Sequence, residues 1–74
     1  MQSAWISVGL RPLVECTVLE LGESGAKVSL PPPVVASLPR VCVLYLKPDR
    51  SAGWQCEVRD KGNDFIELTF VSAL

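Results

Sequence analysis

Histidine is absent from this 74-residue sequence, which removes the commonest general base and the commonest metal ligand of proteins. The three cysteines, Cys16, Cys42 and Cys56, are odd in number and widely spaced. This arrangement argues against a disulfide framework or a zinc knuckle, and the thiols are expected to be small buried hydrophobic side chains. Because no nucleophile has a recognisable base, we expect no enzyme, no bound metal and no cofactor.

Charge and aromatic side chains are also scarce. The formal net charge is -1 and aromatic residues make up 7%, whereas nucleic-acid sites combine basic grooves with stacking rings. No stretch approaches the roughly 20 apolar residues of a membrane helix. The start, Met1-Gln2-Ser3, lacks the basic and apolar segments of a signal peptide. We therefore expect a cytoplasmic protein that binds neither nucleic acid nor membrane.

Hydrophobic residues, by contrast, are abundant at 49%, which indicates a folded chain. The length allows one domain, covering residues 1–74. Six prolines, five glycines and many Val, Leu and Ile residues favour strands and turns over helices.

Period-two alternation predicts six strands, at residues 4–10, 13–20, 25–30, 40–46, 54–59 and 64–71. Hairpin turns are expected at residues 21–24 and 60–63. The predicted core contains Val14, Cys16, Val28, Val43, Cys56, Val58, Ile66, Leu68 and Phe70. The strand at residues 40–46 is apolar without a break after its first residue, so we expect it to be covered on both faces.

The connection after the third strand is the hardest segment to assign. Pro31, Pro32 and Pro33 predict extended polyproline-like chain. Residues 34–38 fit a short strand, one helical turn or a crossing loop. Closing a Greek key needs one long crossing connection, and closing a barrel removes exposed sheet edges. The predicted fold is a small all-β, six-stranded, antiparallel Greek-key-like barrel.

The hairpin Leu19-Glu20-Leu21-Gly22-Glu23-Ser24-Gly25-Ala26-Lys27-Val28 resembles the signature hairpin of PilZ domains, which are small β-barrels that bind cyclic di-GMP. The apolar strand near residues 41–46 and the final hairpin, with Trp54 to Val58 and Phe65 to Phe70, resemble later parts of that family. The resemblance extends over residues 13–71. It implies a barrel with a regulatory role.

The family's ligand site has two parts: an upstream Arg-x-x-x-Arg pair and an Asp/Asn-x-Ser-x-x-Gly hairpin. Aligned on Gly25, this chain has Glu20 in place of Asp or Asn and Gly22 in place of Ser. Arg11 is the one arginine before residue 40, and no arginine lies four residues from it. The resemblance thus places a degenerate site at Arg11, Glu20, Gly22 and Gly25. Without paired guanidiniums to fork onto phosphates, we expect at most weak binding of cyclic di-GMP.

We therefore expect a non-enzymatic, PilZ-like regulatory or protein-interaction module. Its interaction candidates are Trp5, Phe65 and Val71, which would bind a protein partner or a second copy. Two alternatives stay open: a cyclic di-GMP receptor with an atypical site, and an SH3-like or OB-like barrel that binds nucleic acid. Two readings also apply to four basic residues: Lys47, Arg50, Arg59 and Lys61. They could share one end of the barrel and bind a phosphate or an acidic partner, or they could be scattered and solvated.

Overall fold

The computed structural model describes residues 2–8 and 12–74. These residues form six strands and one short helix. In chain order these are β1 (Gln2–Ser7), β2 (Val14–Leu21), β3 (Gly25–Ser29), α1 (Pro32–Ser37), β4 (Val41–Tyr45), β5 (Gly53–Lys61) and β6 (Phe65–Ala73). The predicted first strand thus ends earlier than expected, and Gly9 and Leu10 lie outside the described residues.

The six strands form one closed antiparallel barrel in the order β1-β2-β3-β6-β5-β4, and β4 pairs with β1 to close it. β3 and β4 follow each other in the chain but are not neighbours in the sheet, so residues 30–40 cross one end of the barrel. The predicted antiparallel barrel with one long crossing connection is confirmed. We call the end that carries α1 the upper end and the end with the β2–β3 turn the lower end.

The crossing connection corrects the prediction of an extended proline segment. Pro31 is extended, with φ -58° and ψ 141°, but Pro32 and Pro33 begin α1. Proline suits the first helical turn because its missing N–H would have no partner there and its fixed φ matches the helix. Of the three readings left open for residues 34–38, the helical turn is the one observed.

The core lies inside the barrel and beneath α1. Ile6, Val28, Leu44, Cys56 and Ile66 are fully buried. The helix adds Val35 and Leu38, which are also buried and close the upper end. Three predicted core residues are half-buried against this cluster rather than inside it: Val14, Val58 and Phe70. Phe70 stacks on Trp54 with ring centroids 4.6 Å apart and planes 9° from parallel.

The prediction for β4 is wrong in two respects. Cys42 and Leu44 point inward, so Val43 lies on the outer face and is not a core residue. The outer face is also not covered, because Val41 is 48% exposed. An unbroken apolar run hides which of its two faces is buried, since period-two alternation is the signal that separates them.

Candidate functional site

The hairpin that resembles the PilZ signature lines a surface groove of about 440 Å³, which we call the hairpin groove. Glu20, Gly22 and Gly25 all contribute to it, so the structure brings together three of the four predicted ligand residues. Arg11 lies outside the described residues. Side chains that the sequence analysis did not assign to this site complete the groove: Lys27, Arg59, Glu67 and Thr69.

Gly25 fixes the hairpin against β6. The turn closes with a hydrogen bond from the Gly22 N–H to the Gly25 carbonyl at 2.9 Å. The Phe70 N–H donates to the Ser24 carbonyl at 2.8 Å and ties the turn to β6. A Cβ atom on residue 25 would lie 2.1 Å from the Leu68 carbonyl oxygen, so only glycine fits this close approach. The matching family glycine therefore has a packing reason that is independent of any ligand.

Two β-bulges set the side chains of the groove. One lies between Val18 and Glu20 on β2, and the other lies between Val58 and Asp60 on β5. The second bulge leaves Arg59 without a register partner on β6, and its side chain joins the groove. A bulge re-aims side chains locally, and simple alternation cannot foresee it. The sequence does indicate that Lys27 and Glu67 face outward, because each lies between apolar residues that alternate with it along the strand.

The charges of the hairpin groove alternate in sign. Glu20 pairs in register with Lys27, and Lys27 pairs with Glu67 across β3 and β6. The Lys27 ammonium also lies 4.5 Å from the centroid of the Phe65 ring, a cation–π contact. Among the residues that the structure describes, two carboxylates and two basic groups therefore face the groove. Such a balance gives a doubly anionic ligand no net attraction.

The three predicted interaction residues do not form one surface. Trp5 lies on β1, three positions around the barrel from β6, which carries Phe65 and Val71. Phe65 is half-buried at the start of β6, and its ring lies under Lys27. Val71 is 55% exposed next to a bulge near the other end of the same strand.

Trp5 instead belongs to a different apolar surface, which we call the β1–β4 face. It pairs in register with Tyr45, and Val43 and Val41 follow at alternate positions of β4. Trp5, Val43 and Tyr45 are half-buried and Val41 is exposed. None of the described helices or strands lies over these four side chains, because the sheet is a single closed layer and α1 closes its upper end.

The thiols lie inside the barrel, as the sequence predicts. Cys16, Cys42 and Cys56 are buried and not in disulfides, and Cys42 is the register partner of Cys56. Burial raises the pKa of Cys16 and of Cys42 to about 12, and that of Cys56 to about 11. Nearby Glu15 adds to the rise at Cys16, and the other two thiols add to it at Cys42. Thiols with such pKa values remain protonated near neutral pH and are weak nucleophiles.

Within residues 2–8 and 12–74, no three or more acidic, cysteine or histidine side chains gather in a way that could hold a metal ion. In the same part of the chain, no helix has the length and apolar character to cross a membrane. Comparison with protein-family models, curated proteins and solved structures finds no match to this chain.

Proposed function

We propose that this protein is a non-enzymatic interaction module whose barrel binds a protein partner through the β1–β4 face. The observation that carries the proposal is the run of Trp5, Tyr45, Val43 and Val41 on the outer side of two neighbouring strands. The outer face of a small barrel is ordinarily polar, because alternation places apolar side chains inside. Aromatic side chains at the centre of an apolar patch are the usual anchors of protein interfaces.

The composition of this surface supports binding to a protein. Ser7 and Gln55 flank Val43 in register, and Glu57 flanks Val41, so polar side chains border the apolar centre. An apolar centre with a polar rim is the general anatomy of a protein interface. The Arg50 guanidinium lies 6.0 Å from the centroid of the Tyr45 ring and adds a charged group at the lower edge. The PilZ resemblance of residues 13–71 is consistent with a regulatory role for such a module.

A matched pair of exposed residues tests the proposal. Val41, on the β1–β4 face, and Leu19, at the β2 bulge, are both 48% exposed. The chain is expressed in its native cell with a photo-crosslinking amino acid at position 41, and irradiation should then link it to a single protein partner. The same amino acid at position 19 should give no such adduct. Val43→Glu in the crosslinking chain should abolish the adduct. If the partner is a second copy, sedimentation equilibrium of the purified chain should show the mass of a dimer.

The same experiments can also contradict the proposal. If position 41 gives no discrete adduct, or gives the same adducts as position 19, and the purified chain stays monomeric, the β1–β4 face is not an interface. Thermal unfolding of Val43→Glu must show a folded domain, and Val43→Thr serves as the milder variant if it does not.

A cyclic di-GMP receptor with an atypical site is the second candidate. The observation in its favour is that Glu20, Gly22 and Gly25 line one groove together with Arg59. The groove also contains the Glu20 and Glu67 carboxylates, which oppose a phosphodiester ligand. We therefore rank this candidate below the interaction module.

A further inference from the structure

A second groove, of about 420 Å³, lies beside the end of β5 and is lined by Arg40, Val58, Arg59, Asp60 and Lys61. We call it the basic groove. Three of the six basic residues that the structure describes line it, against one described carboxylate. We propose that the basic groove binds a phosphate group, either free or on a small nucleotide.

The topology of the sheet creates this groove. β4 begins at Val41, which pairs with Glu57, and the Arg40 carbonyl accepts a hydrogen bond from the Val58 N–H at 2.8 Å. β5 continues to Lys61, so residues 59–61 have no register partner on β4. The chain leaving the crossing connection at Arg40 therefore lies next to an open edge of β5. Arg40 and Arg59 are distant in sequence, and this pairing is what places both of them along one groove.

Lys61 is held in place at this edge. Its ammonium donates a hydrogen bond of 2.7 Å to the Leu38 carbonyl, at the C-terminal cap of α1. An ammonium has three N–H donors, so two remain for a ligand. Holding one basic side chain in advance lowers the entropy lost when an anion binds.

The carboxylate in the groove is turned toward its own backbone. The Asp60 Oδ1 atom accepts the Lys61 backbone N–H at 2.9 Å. The bulge between Val58 and Asp60 separates Arg59 from the regular pairing of its neighbours. Arg40 and Arg59 are both exposed, and guanidinium groups present donors in a planar fork that matches phosphate oxygens.

The four basic residues considered from the sequence are not one group. Lys47 and Arg50 lie in the β4–β5 connection at the lower end, whereas Lys61 ends β5 at the upper end. This makes Arg50→Ala a matched control, because it removes the same charge from a different place. Lys27→Ala is a second control, because Lys27 lines the hairpin groove and not the basic groove.

The test is a titration of the ¹⁵N-labelled chain with inorganic phosphate and, separately, with adenosine monophosphate. We expect saturable amide shifts at residues 40 and 58–61, which weaken as salt is added because the contact is ionic. Arg59→Ala and Arg40→Ala should each weaken binding by about tenfold or more, and Arg50→Ala and Lys27→Ala should leave it unchanged. Tighter binding of the nucleotide would identify a nucleotide phosphate, and equal binding would identify the free anion.

Three results would overturn the proposal. The first is an absence of saturable shifts with both ligands. The second is binding that survives in both Arg59→Ala and Arg40→Ala. The third is a loss in Lys27→Ala as large as the loss in Arg40→Ala, which would move the site to the hairpin groove. Because the arginines are exposed, we expect both variants to fold, and their amide spectra report this directly.

Discussion

Two small residues, Gly25 and Cys56, allow close packing in this barrel. Gly25 allows β3 to approach the Leu68 carbonyl, and Cys56 fills the barrel interior with no exposed surface. Neither role requires a ligand or a reaction. Gly25, which matches a motif residue, and Cys56, which carries a thiol, thus both have packing roles in the barrel.

Gly25→Ala should destabilise the barrel by about 2 kcal/mol or more, because the new methyl group would overlap the Leu68 carbonyl. Gly22→Ala is the control, since its Cβ would lie 3.7 Å from the nearest atom outside its chain neighbours, the Gly25 carbonyl oxygen. That substitution should change stability by roughly 0.5 kcal/mol or less. Urea unfolding followed by tryptophan fluorescence measures both values. Equal losses in the two variants would show that the close approach at Gly25 is relieved without cost.

The buried thiols should make stability fall at alkaline pH. Their ordinary pKa is 9.0, and burial raises the folded values to about 12 for Cys16 and Cys42 and about 11 for Cys56. Below pH 9 the thiols are protonated in both states. Above it the unfolded chain loses protons that the folded chain retains, so the free energy of unfolding falls as pH rises from 9 toward 11–12.

Urea unfolding at a series of alkaline pH values measures this slope. Cys42→Ala should flatten it, because one thiol no longer titrates. The comparison uses slopes rather than absolute stabilities, since the substitution also removes buried volume. All other residues are the same in both chains, so their contributions to the slope cancel in the comparison. Identical slopes would mean that Cys42 ionises in the folded barrel as readily as in the unfolded chain.

Among the elements, α1 covers the upper end of the barrel and is not stable as an independent helix. Six residues are too few for a helix to be stable alone in water. Val35 and Leu38 hold it by burial, and the Lys61 ammonium binds the Leu38 carbonyl at its end. Two prolines at its start fix the backbone where the chain turns over the barrel.

Val35→Ala should therefore cost about 2 kcal/mol, from roughly 0.8 kcal/mol for each buried carbon group lost plus the cavity left behind. The neighbouring Val34→Ala removes the same atoms from a half-buried position and should cost less than half as much. Thermal or urea unfolding compares the two. A smaller effect at Val35 than at Val34 would contradict the burial of Val35 under the upper end.

The barrel as a whole carries these three surfaces, and two of them adjoin at Arg59. The barrel measures only 28 × 26 × 24 Å, so these surfaces are close together. The β1–β4 face is apolar, the hairpin groove has alternating charges, and the basic groove has an excess of positive charge. Arg59 lines both grooves, so a ligand in one would alter the field in the other.

The unmodified chain should bind cyclic di-GMP weakly or not at all. Its 74 residues contain no Arg-x-x-x-Arg pair, and each charge-assisted contact to phosphate is worth about 1.5–3 kcal/mol. Two missing contacts correspond to a loss of about two to four decades in affinity. The double variant Glu20→Asp and Gly22→Ser should not restore binding, because the positive charge is still missing. Isothermal titration calorimetry tests both chains, and sub-micromolar binding by the unmodified one would refute this expectation. Alanine substitution of Arg11, Arg50 and Arg59 in turn would then locate the clamp.

Much of the architecture follows from the sequence alone. Away from the bulges, alternation in β2, β3, β5 and β6 predicts which side chains enter the barrel, because inward and outward positions differ in polarity. The buried state of Cys16, Val28, Cys56, Ile66 and Leu68 was predictable for this reason. So was the placement of Glu20, Gly22 and Gly25 on one hairpin, because they are neighbours in the chain.

Other features depend on how the strands pair and pack in three dimensions. The inward face of β4 was hidden, because both of its faces are apolar and Val43 looks the same in sequence as Leu44. The bulge at Arg59 comes from the pairing of β5 with β6, and Arg59 lines one groove with Arg40 because β5 extends past β4. Likewise, the β1–β4 face exists because the barrel closes by pairing its first strand with its fourth. Local periodicity is a property of each segment, whereas these surfaces come from pairing between segments that are distant in the chain.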